Sequence, residues 1–579
     1  VSTLGTLYAA MSGRRRRQLA LTGVAMLAGA AAELVAIAAV FPFLALLTRD
    51  AGAGRATQLP LPSIDSPVVA ASILIAAALA AAAVRLGLLW VMQRMVAGFS
   101  HDLSRAMFGR MLRQPYADYV RRNSSEVIAS MEKASDIATV VLQPVMNGAV
   151  ATVMALSIAG FLFLLSPGAA AGAAVSLGLV YAVIARLTRR RLRSNAAVIG
   201  GSATRRVKMV QEALGGLRDI ILDRSHGVHE EAFAAVDARL RHALTINAMI
   251  GQGPRFAIEA AGMVAIALVA LWMSGEPGGI VRAIPLLGAL AVGAQRLLPL
   301  VQQAYLGWSA TLGNRQALAD IAALLNAPAL PDLPAGAGKL PFRDRVALRG
   351  VSFAYRDGAP LLTGIDLDIA RGARIGIVGA TGAGKSTLLD LLMGLLEPSS
   401  GAIVVDGRPL DATTVPLWQG QIAHVPQSIY LLDESIAANI AFGVRPAEVD
   451  LARVRACAEG AHIAEFIAGL PEGYATFVGE RGIRLSGGQR QRIGIARALY
   501  KQASVLILDE ATSALDDVTE AAVIASITAL GRDITLLMIA HRRSTLDSCD
   551  RILRVDKGRL VEDSAPAHRG GARPSLRGA

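Results

Sequence analysis

Six apolar stretches dominate the first half of this 579-residue chain, at 18–47, 68–96, 140–165, 168–187, 256–274 and 280–303. Each is close to or above the roughly 20 residues a helix needs to cross a hydrocarbon core. Only helices and closed barrels satisfy their backbone groups in lipid, and runs of this length predict helices. Composition agrees: 53% of residues are hydrophobic and 18% charged, with a mean hydropathy of +0.46. Soluble chains average nearer ~25% charged, so an ordinary water-soluble enzyme is excluded. Aromatic residues make up only 4%, which argues against a nucleic-acid binder that stacks bases on aromatic platforms. The two cysteines, Cys457 and Cys549, lie far apart and form no metal or redox spacing.

Charge sets the orientation. The chain carries 58 basic and 45 acidic side chains, a net +13, and basic residues favour the cytoplasmic side of a membrane. Arg14, Arg15, Arg16 and Arg17 precede the first run, which is too long for a signal peptide and lacks a clean cleavage site. After the second run come Arg105, Arg110, Arg113, Arg121 and Arg122; after the fourth, Arg186, Arg189, Arg190, Arg191 and Arg193. Segments 48–67 and 275–279 and the turn at Ser166 and Pro167 hold few basic residues. Six spans with both termini cytoplasmic follow. The long cytoplasmic segments show helical patterns over 101–112, 205–221 and 229–246. They read either as folded hairpins or as levers that contact a motor domain.

Pro328, Pro331, Pro334 and Pro341 mark a linker over 326–341. It separates an all-α transmembrane domain, 1–325, from an alternation of strands and helices over 342–563, an α/β domain. The tail 564–579, small, polar and basic, is expected to be disordered.

The α/β domain carries phosphate chemistry. Gly379, Ala380, Thr381, Gly382, Ala383, Gly384, Lys385, Ser386 and Thr387 complete a phosphate-loop pattern between a strand and a helix. Glycines let the backbone curl so that its N–H groups cradle phosphates at a helix N-terminus. Lys385 is expected to reach the β- and γ-phosphates, and the Ser386 hydroxyl to coordinate Mg²⁺. Downstream, the apolar strand from Val505 ends in Asp509 and Glu510. Successive strand side chains face opposite ways, so the pair can divide labour: Asp509 is expected to support Mg²⁺, and Glu510 to polarise the attacking water.

Leu485, Ser486, Gly487, Gly488 and Gln489 resemble the signature loop of ATP-binding-cassette proteins. The resemblance extends to Tyr355 as the adenine-stacking aromatic and Gln427 as the Q-loop glutamine on the γ-phosphate and Mg²⁺. It covers Ser513 to Asp516 as the D-loop, His541 as the switch histidine, and 478–482 as an exporter element ahead of the signature. It implies an all-α six-helix transmembrane domain of exporter type followed by an α/β P-loop ATPase domain, an ATPase coupled to transport with ATP and Mg²⁺ as cofactors. Two cassettes of that family close head-to-tail on ATP, so one cassette and six spans imply half a transporter, completed as a homodimer that works by alternating access. The expected location is the bacterial inner membrane. No nucleic-acid partner is expected.

Several membrane segments resemble bacterial flippases of lipid-linked oligosaccharides: 114–119, 123–126, 214–219, Pro254 to Phe256 with Glu259, and 296–299. Such flippases use cavity arginines to accompany a pyrophosphate-linked glycan, which makes Arg85, Arg255 and Arg296 the candidate substrate residues. Arginine suits phosphate because its planar fork binds two oxygens. Arg85 and Arg255 also read as snorkelling interfacial residues, and Glu33 as an arginine's packing partner. The 49–67 segment lacks the amphipathic pattern of an external lipid-contacting helix, and Ala36 stands where those flippases usually have glycine. The short lead before the first span and the lack of any cysteine before Cys457 argue against a leader-cleaving peptide exporter. Competing readings are an exporter of small peptides or hydrophobic drugs, and an ATP-gated regulator or channel. Intact Glu510 and His541 argue against the last.

Overall fold

A computed structural model describes residues 5, 8, 11–47, 66–165, 167–274, 279–331, 338–355, 358–511, 514–529, 531–540 and 546–563. The chain divides into two compact units, residues 1–114 with 118–329 and residues 115–117 with 330–579.

The first unit is helical among its described residues. Its principal helices are α1 (Gly13–Leu47), α2 (Pro67–Leu112), α3 (Ser124–Ile137), α4 (Gln143–Leu165), α5 (Pro167–Gly215), α6 (His226–Ser274), α7 (Gly279–Gly313) and α8 (Arg315–Leu325). Every apolar run falls within one of them, the third starting in a π-helical turn, Ala138–Leu142, that joins α3 to α4. Among the described residues, three helical stretches are long and apolar enough to cross a membrane by length and composition: Gly13–Ala36, Pro67–Leu112 and Ser124–Gly160. Helices α5 and α6 each run for 49 residues, about 74 Å at 1.5 Å per residue. The helical patterns at 101–112 and 229–246 are therefore direct continuations of membrane helices. The pattern at 205–221 is broken at Gly215 and Gly216, where α5 ends and a short helix, Leu217–Leu222, begins.

The apolar core of this unit gathers Met95, Phe99, Leu103 and Met107 of α2, Ile137 and Val141 around the π turn, and Leu318 and Ile321 of α8. Helices α4 and α7 approach closely where both carry glycine. A Cβ added at Gly307 would lie 2.7 Å from the Pro144 carbonyl oxygen, and one at Gly148 would lie 3.0 Å from that of Gln303. Backbone cannot yield as a flexible side chain can. Gly307→Val is expected to destabilise the protein by about 1–3 kcal/mol, the usual range for overpacking. A thermal melt in detergent reads this, and an unchanged midpoint would contradict the close approach.

A polar ladder ties α5 to α6 and α7. Tyr181 donates to Gln302 Oε1 at 2.6 Å, and Gln302 Nε2 donates to the Gly251 carbonyl at 2.6 Å. Thr188 and Tyr305 share a hydroxyl hydrogen bond of 3.2 Å, and Asn195 Nδ2 donates to Asn247 Oδ1 at 2.8 Å. Tyr181, Thr188 and Asn195 are seven residues apart, so they line one face of α5, and their satisfied bonds pin the register of the three helices.

The second unit packs two sheets. Strands β1 (Arg345–Phe353), β2 (Leu362–Ala370), β4 (Ser400–Val405) and β5 (Arg408–Pro409) form an antiparallel sheet in the order β2-β1-β4-β5. Strands β3 (Arg374–Gly379), β6 (Ile422–Val425), β7 (Val505–Asp509), β8 (Thr535–Ile539), β9 (Arg551–Asp556) and β10 (Arg559–Asp563) form the other, in the order β10-β9-β3-β8-β7-β6. All but β10 run parallel there. Every residue of β8 is buried, as expected for a strand covered on both faces. Leu506, Leu508, Leu536 and Met538 enter one core, and Val505, Ile507, Leu537 and Ile539 the other. The principal helices are α9 (Lys385–Leu392), α10 (Leu451–Gly460), α11 (Gly487–Tyr500) and α12 (Asp517–Ala529). Leu340, inside the segment read as linker, is 2% exposed and donates its N–H to the Leu417 carbonyl. The packed unit thus takes in the end of that segment.

Candidate nucleotide site

Strand order brings the candidate residues to one edge. Strands β3, β8, β7 and β6 are parallel neighbours, so their carboxyl ends, at Gly379, Ile539, Asp509 and Val425, emerge together. Ligands of open α/β sheets bind in the crevice at that edge. The phosphate loop follows β3, Glu510 follows β7, and Gln427 lies two residues beyond β6. His541 lies two residues beyond β8, and like Thr512, Ser513 and the tail 564–579 it falls outside the described residues.

The loop has the backbone its glycines predict. Gly382 and Gly384 have φ of +80° and +101°, in the left-handed region, and Gly384 is the N-cap of α9. A side chain at Gly379 would place its Cβ 2.5 Å from the Val555 carbonyl oxygen on the neighbouring strand. Lys385 is buried at 8% exposure, and its Nζ donates to the carbonyls of Gly379 (2.9 Å) and Ala380 (3.1 Å). The ammonium is thus curled over the loop, whose Thr381, Gly382 and Ser386 are exposed while Thr387 is buried. A helix N-terminus with a buried lysine beside it is a fit for phosphate oxygens.

Glu510 sits in an uncommon backbone conformation, φ +49°, and its N–H donates to the Ile539 carbonyl at 3.1 Å. Gln427 Nε2 donates to Glu510 Oε2 at 2.7 Å. The glutamine and the second acid therefore meet directly, although 83 residues separate them. Tyr355 is 42% exposed and stands edge-on to Phe353, ring centroids 5.0 Å apart.

The signature segment caps α11. Ser486 Oγ accepts the Gln489 N–H at 3.2 Å while Gln489 Oε1 accepts the Ser486 N–H at 2.8 Å, a reciprocal capping box. Gly487 and Gly488 form the first turn. Among the described residues, no hydrogen bond or ion pair joins 485–489 to 379–387. Asp516 caps α12 by accepting the backbone and hydroxyl of Thr519, which hold its carboxyl below the usual range.

Several residues at the site escaped the sequence reading. Gln491, 4% exposed, accepts the Ala514 N–H at 3.1 Å, linking the signature helix to the segment after the acid pair. Arg497 of α11 donates to Asn439 and to the Tyr430 carbonyl, anchoring the loop beyond Gln427. Burial lowers its pKa to about 10. A polar residue on the otherwise apolar face of a helix was the available signal for both. Asp390 of α9 is half-buried, and burial, with the Asp509 carboxylate near it, raises its pKa to about 6. Burial also lowers the pKa of His424, against the pull of Asp509.

The Asp390 shift has a testable sign. Its folded pKa lies above the unfolded value, so ionisation costs the native state, and that cost grows as pH rises from about 4 to about 6. Asp390→Asn is expected to melt higher than the parent above about pH 6 in metal-free buffer, the gap closing towards about pH 4. A gap independent of pH would refute the assignment.

In the first unit, Arg85 of α2 forms an ion pair with Glu33 of α1, which is buried. Arg255 Nε donates to Glu259 Oε1 at 2.7 Å one turn along α6, both exposed. Arg296 belongs to α7, and its side chain lies outside the described residues, as does the segment 48–65.

Residues 362–513 match the model of the ABC transporter family, and residues 25–270 match that of the ABC transporter transmembrane region. The chain is 35% identical over 483 residues to the ATP-dependent lipid A-core flippase of Ralstonia nicotianae, covering 81% of this chain and 79% of that one. It is 33% identical over 480 residues to the protein of that name from Cupriavidus metallidurans, covering 80% and 78%. Its fold is similar to that of a bacterial Atm1-family ABC exporter solved with ATP bound, with a TM-score of 0.77, 26% identity and 94% of each chain covered.

Proposed function

Because the chain belongs to the ABC transporter family, with its membrane and ATP-hydrolysing regions on one polypeptide in exporter fashion, we propose that it flips an amphipathic, lipid-linked glycan across the bacterial inner membrane. One observation carries the cargo reading. The match to proteins named lipid A-core flippase spans 81% of the chain, far more than the ATP-binding region at 362–513, so it includes membrane helices.

In this reading the loop N–H groups from Gly379 to Thr387, with Thr381, Gly382 and Ala383 at its turn, hold the ATP phosphates, and Lys385 leaves its carbonyl partners to meet them. Tyr355 stacks on adenine. Ser386, Gln427 and Asp509 hold Mg²⁺, which when bound neutralises charge developing on the phosphates. Glu510 orients the attacking water, and His541 supports the γ-phosphate. The isolation of 485–489 from the phosphate loop within one chain fits a homodimer in which Ser486, Gly487, Gly488 and Gln489 of a second copy complete each site. Alternating access would then follow from closure of the two sites.

Arg296 is the remaining candidate for the cargo phosphate, since Arg85 and Arg255 already have carboxylate partners. The test is phosphate release by the purified full-length protein in lipid, with polyprenyl-pyrophosphate glycans or lipid A-type glycolipids added. Stimulation that Arg296→Ala abolishes is the expected result. Turnover indifferent to glycolipid but raised by peptides or drugs would overturn the cargo reading, and absent turnover would point to a regulator.

A further inference from the structure

Helix α5 carries five arginines where its apolar run ends: Arg186, Arg189, Arg190, Arg191 and Arg193, all exposed. Among the described residues none of them makes an ion pair or a side-chain hydrogen bond, unlike Arg206, which pairs with Asp237. At about 100° per residue, Arg186, Arg189, Arg190 and Arg193 fall within an arc of about 100° and span about 10 Å along the axis. The packed side of α5, with Tyr181, Thr188, Leu192 and Asn195, is the other side of the helix. One to three turns earlier, the arginine face continues as exposed Val175 (69%), Leu179 (64%) and Val183 (48%). An apolar stripe thus leads directly into a ladder of guanidinium groups that have no counter-charge among the described residues.

We propose that this face of α5 is a binding site for an anionic phospholipid of the cytoplasmic leaflet, separate from the cargo path. Acyl chains lie along Val175, Leu179 and Val183, and the phosphate is held by Arg186, Arg189, Arg190 and Arg193. Charge complementarity selects the occupant. Planar guanidinium groups bind phosphate oxygens in pairs, and basic clusters immediately cytoplasmic of a membrane span meet an anionic lipid surface. The apolar stripe accounts for a lipid in place of free phosphate. The proposal does not rest on the glycolipid reading.

The test is native mass spectrometry of the full-length protein titrated with cardiolipin, phosphatidylglycerol, phosphatidylcholine and a lipid A-type glycolipid. The parent is expected to prefer the anionic lipids. Changing the four arginines together to glutamine is expected to weaken anionic-lipid binding by about 600-fold, at roughly fivefold for each of four charges. Changing them together to lysine should retain most of it, which separates loss of charge from misfolding. Arg191→Gln, on the other side of the helix, should bind within about twofold of the parent, since it adds nothing to the ladder. Unchanged binding by the glutamine variant, or an equal loss in Arg191→Gln, would overturn the site. So would a glutamine variant that loses only lipid A-type glycolipid, since the face would then belong to the cargo. Efficient disulfide cross-linking of Arg190→Cys between two copies would overturn it in favour of a protein interface.

Discussion

Glu510→Gln is expected to lower ATP turnover by about 10²–10⁴-fold, the range for losing a positioned acid–base group, while leaving ATP affinity within a few-fold of the parent. The expectation follows from position. Glu510 stands at the carboxyl end of β7, held in a left-handed conformation and tied to the Ile539 carbonyl through its N–H. Its carboxylate therefore faces the crevice where Gln427 reaches it. Glutamine keeps the shape and the hydrogen-bonding capacity of the side chain but loses the charge that orients a water. Phosphate release gives turnover, and equilibrium binding of a fluorescent ATP analogue gives affinity. Turnover within about tenfold of the parent would remove Glu510 from the chemistry and return the question to His541. Loss of both turnover and binding would assign it to the architecture of the loop.

Glu33→Ala is expected to destabilise the membrane unit by about 1–3 kcal/mol, less than for a fully buried ion pair because Glu33 is buried while Arg85 is half-exposed. Glu33 is 6% exposed and pairs with Arg85 across the α1–α2 contact. Removing the carboxylate leaves Arg85 without its partner on a membrane helix, where an ionised group is costly. Combining Glu33→Ala with Arg85→Leu is expected to recover most of the loss, because replacing a whole pair by apolar groups removes the stranded charge as well. Thermal melts of the two single variants and the combination close the cycle. A combined variant no more stable than Glu33→Ala alone would contradict the pairing. If Arg85→Leu instead leaves the melt unchanged and removes glycolipid stimulation, Arg85 serves cargo and the pair is incidental.

Some of this was readable along the chain because its physics is local. A phosphate loop needs glycine at particular backbone angles, and Gly382 and Gly384 adopt them. Apolar runs of sufficient length become helices because lipid leaves the backbone no other partner. The capping box at Ser486 and Gln489 is a four-residue pattern. Contacts between distant segments were not readable. Strand–helix alternation did not predict the antiparallel sheet, in which β1 and β2 pair across a turn while β4 comes from beyond the phosphate-loop helix. Nothing in the spacing of α11 sets Gln491 apart from its other polar residues; its contact with Ala514 does. Glu33 asked for an arginine, and three were available; the packing of α1 on α2 selects Arg85.

The sequence by itself determined the membrane character, the number of apolar runs, the net positive charge and the residue types at the nucleotide loop. These follow from hydrophobic length, net charge and backbone freedom, which are properties of short stretches. Only the tertiary structure decided that β3, β8, β7 and β6 open onto one edge, so that Gln427 and Glu510 touch. It also decided which face of α5 packs and which leaves four arginines without a counter-charge among the described residues. Strand order and helix rotation are set by burying apolar surface across the whole unit, a sum over many weak contacts that no short stretch contains.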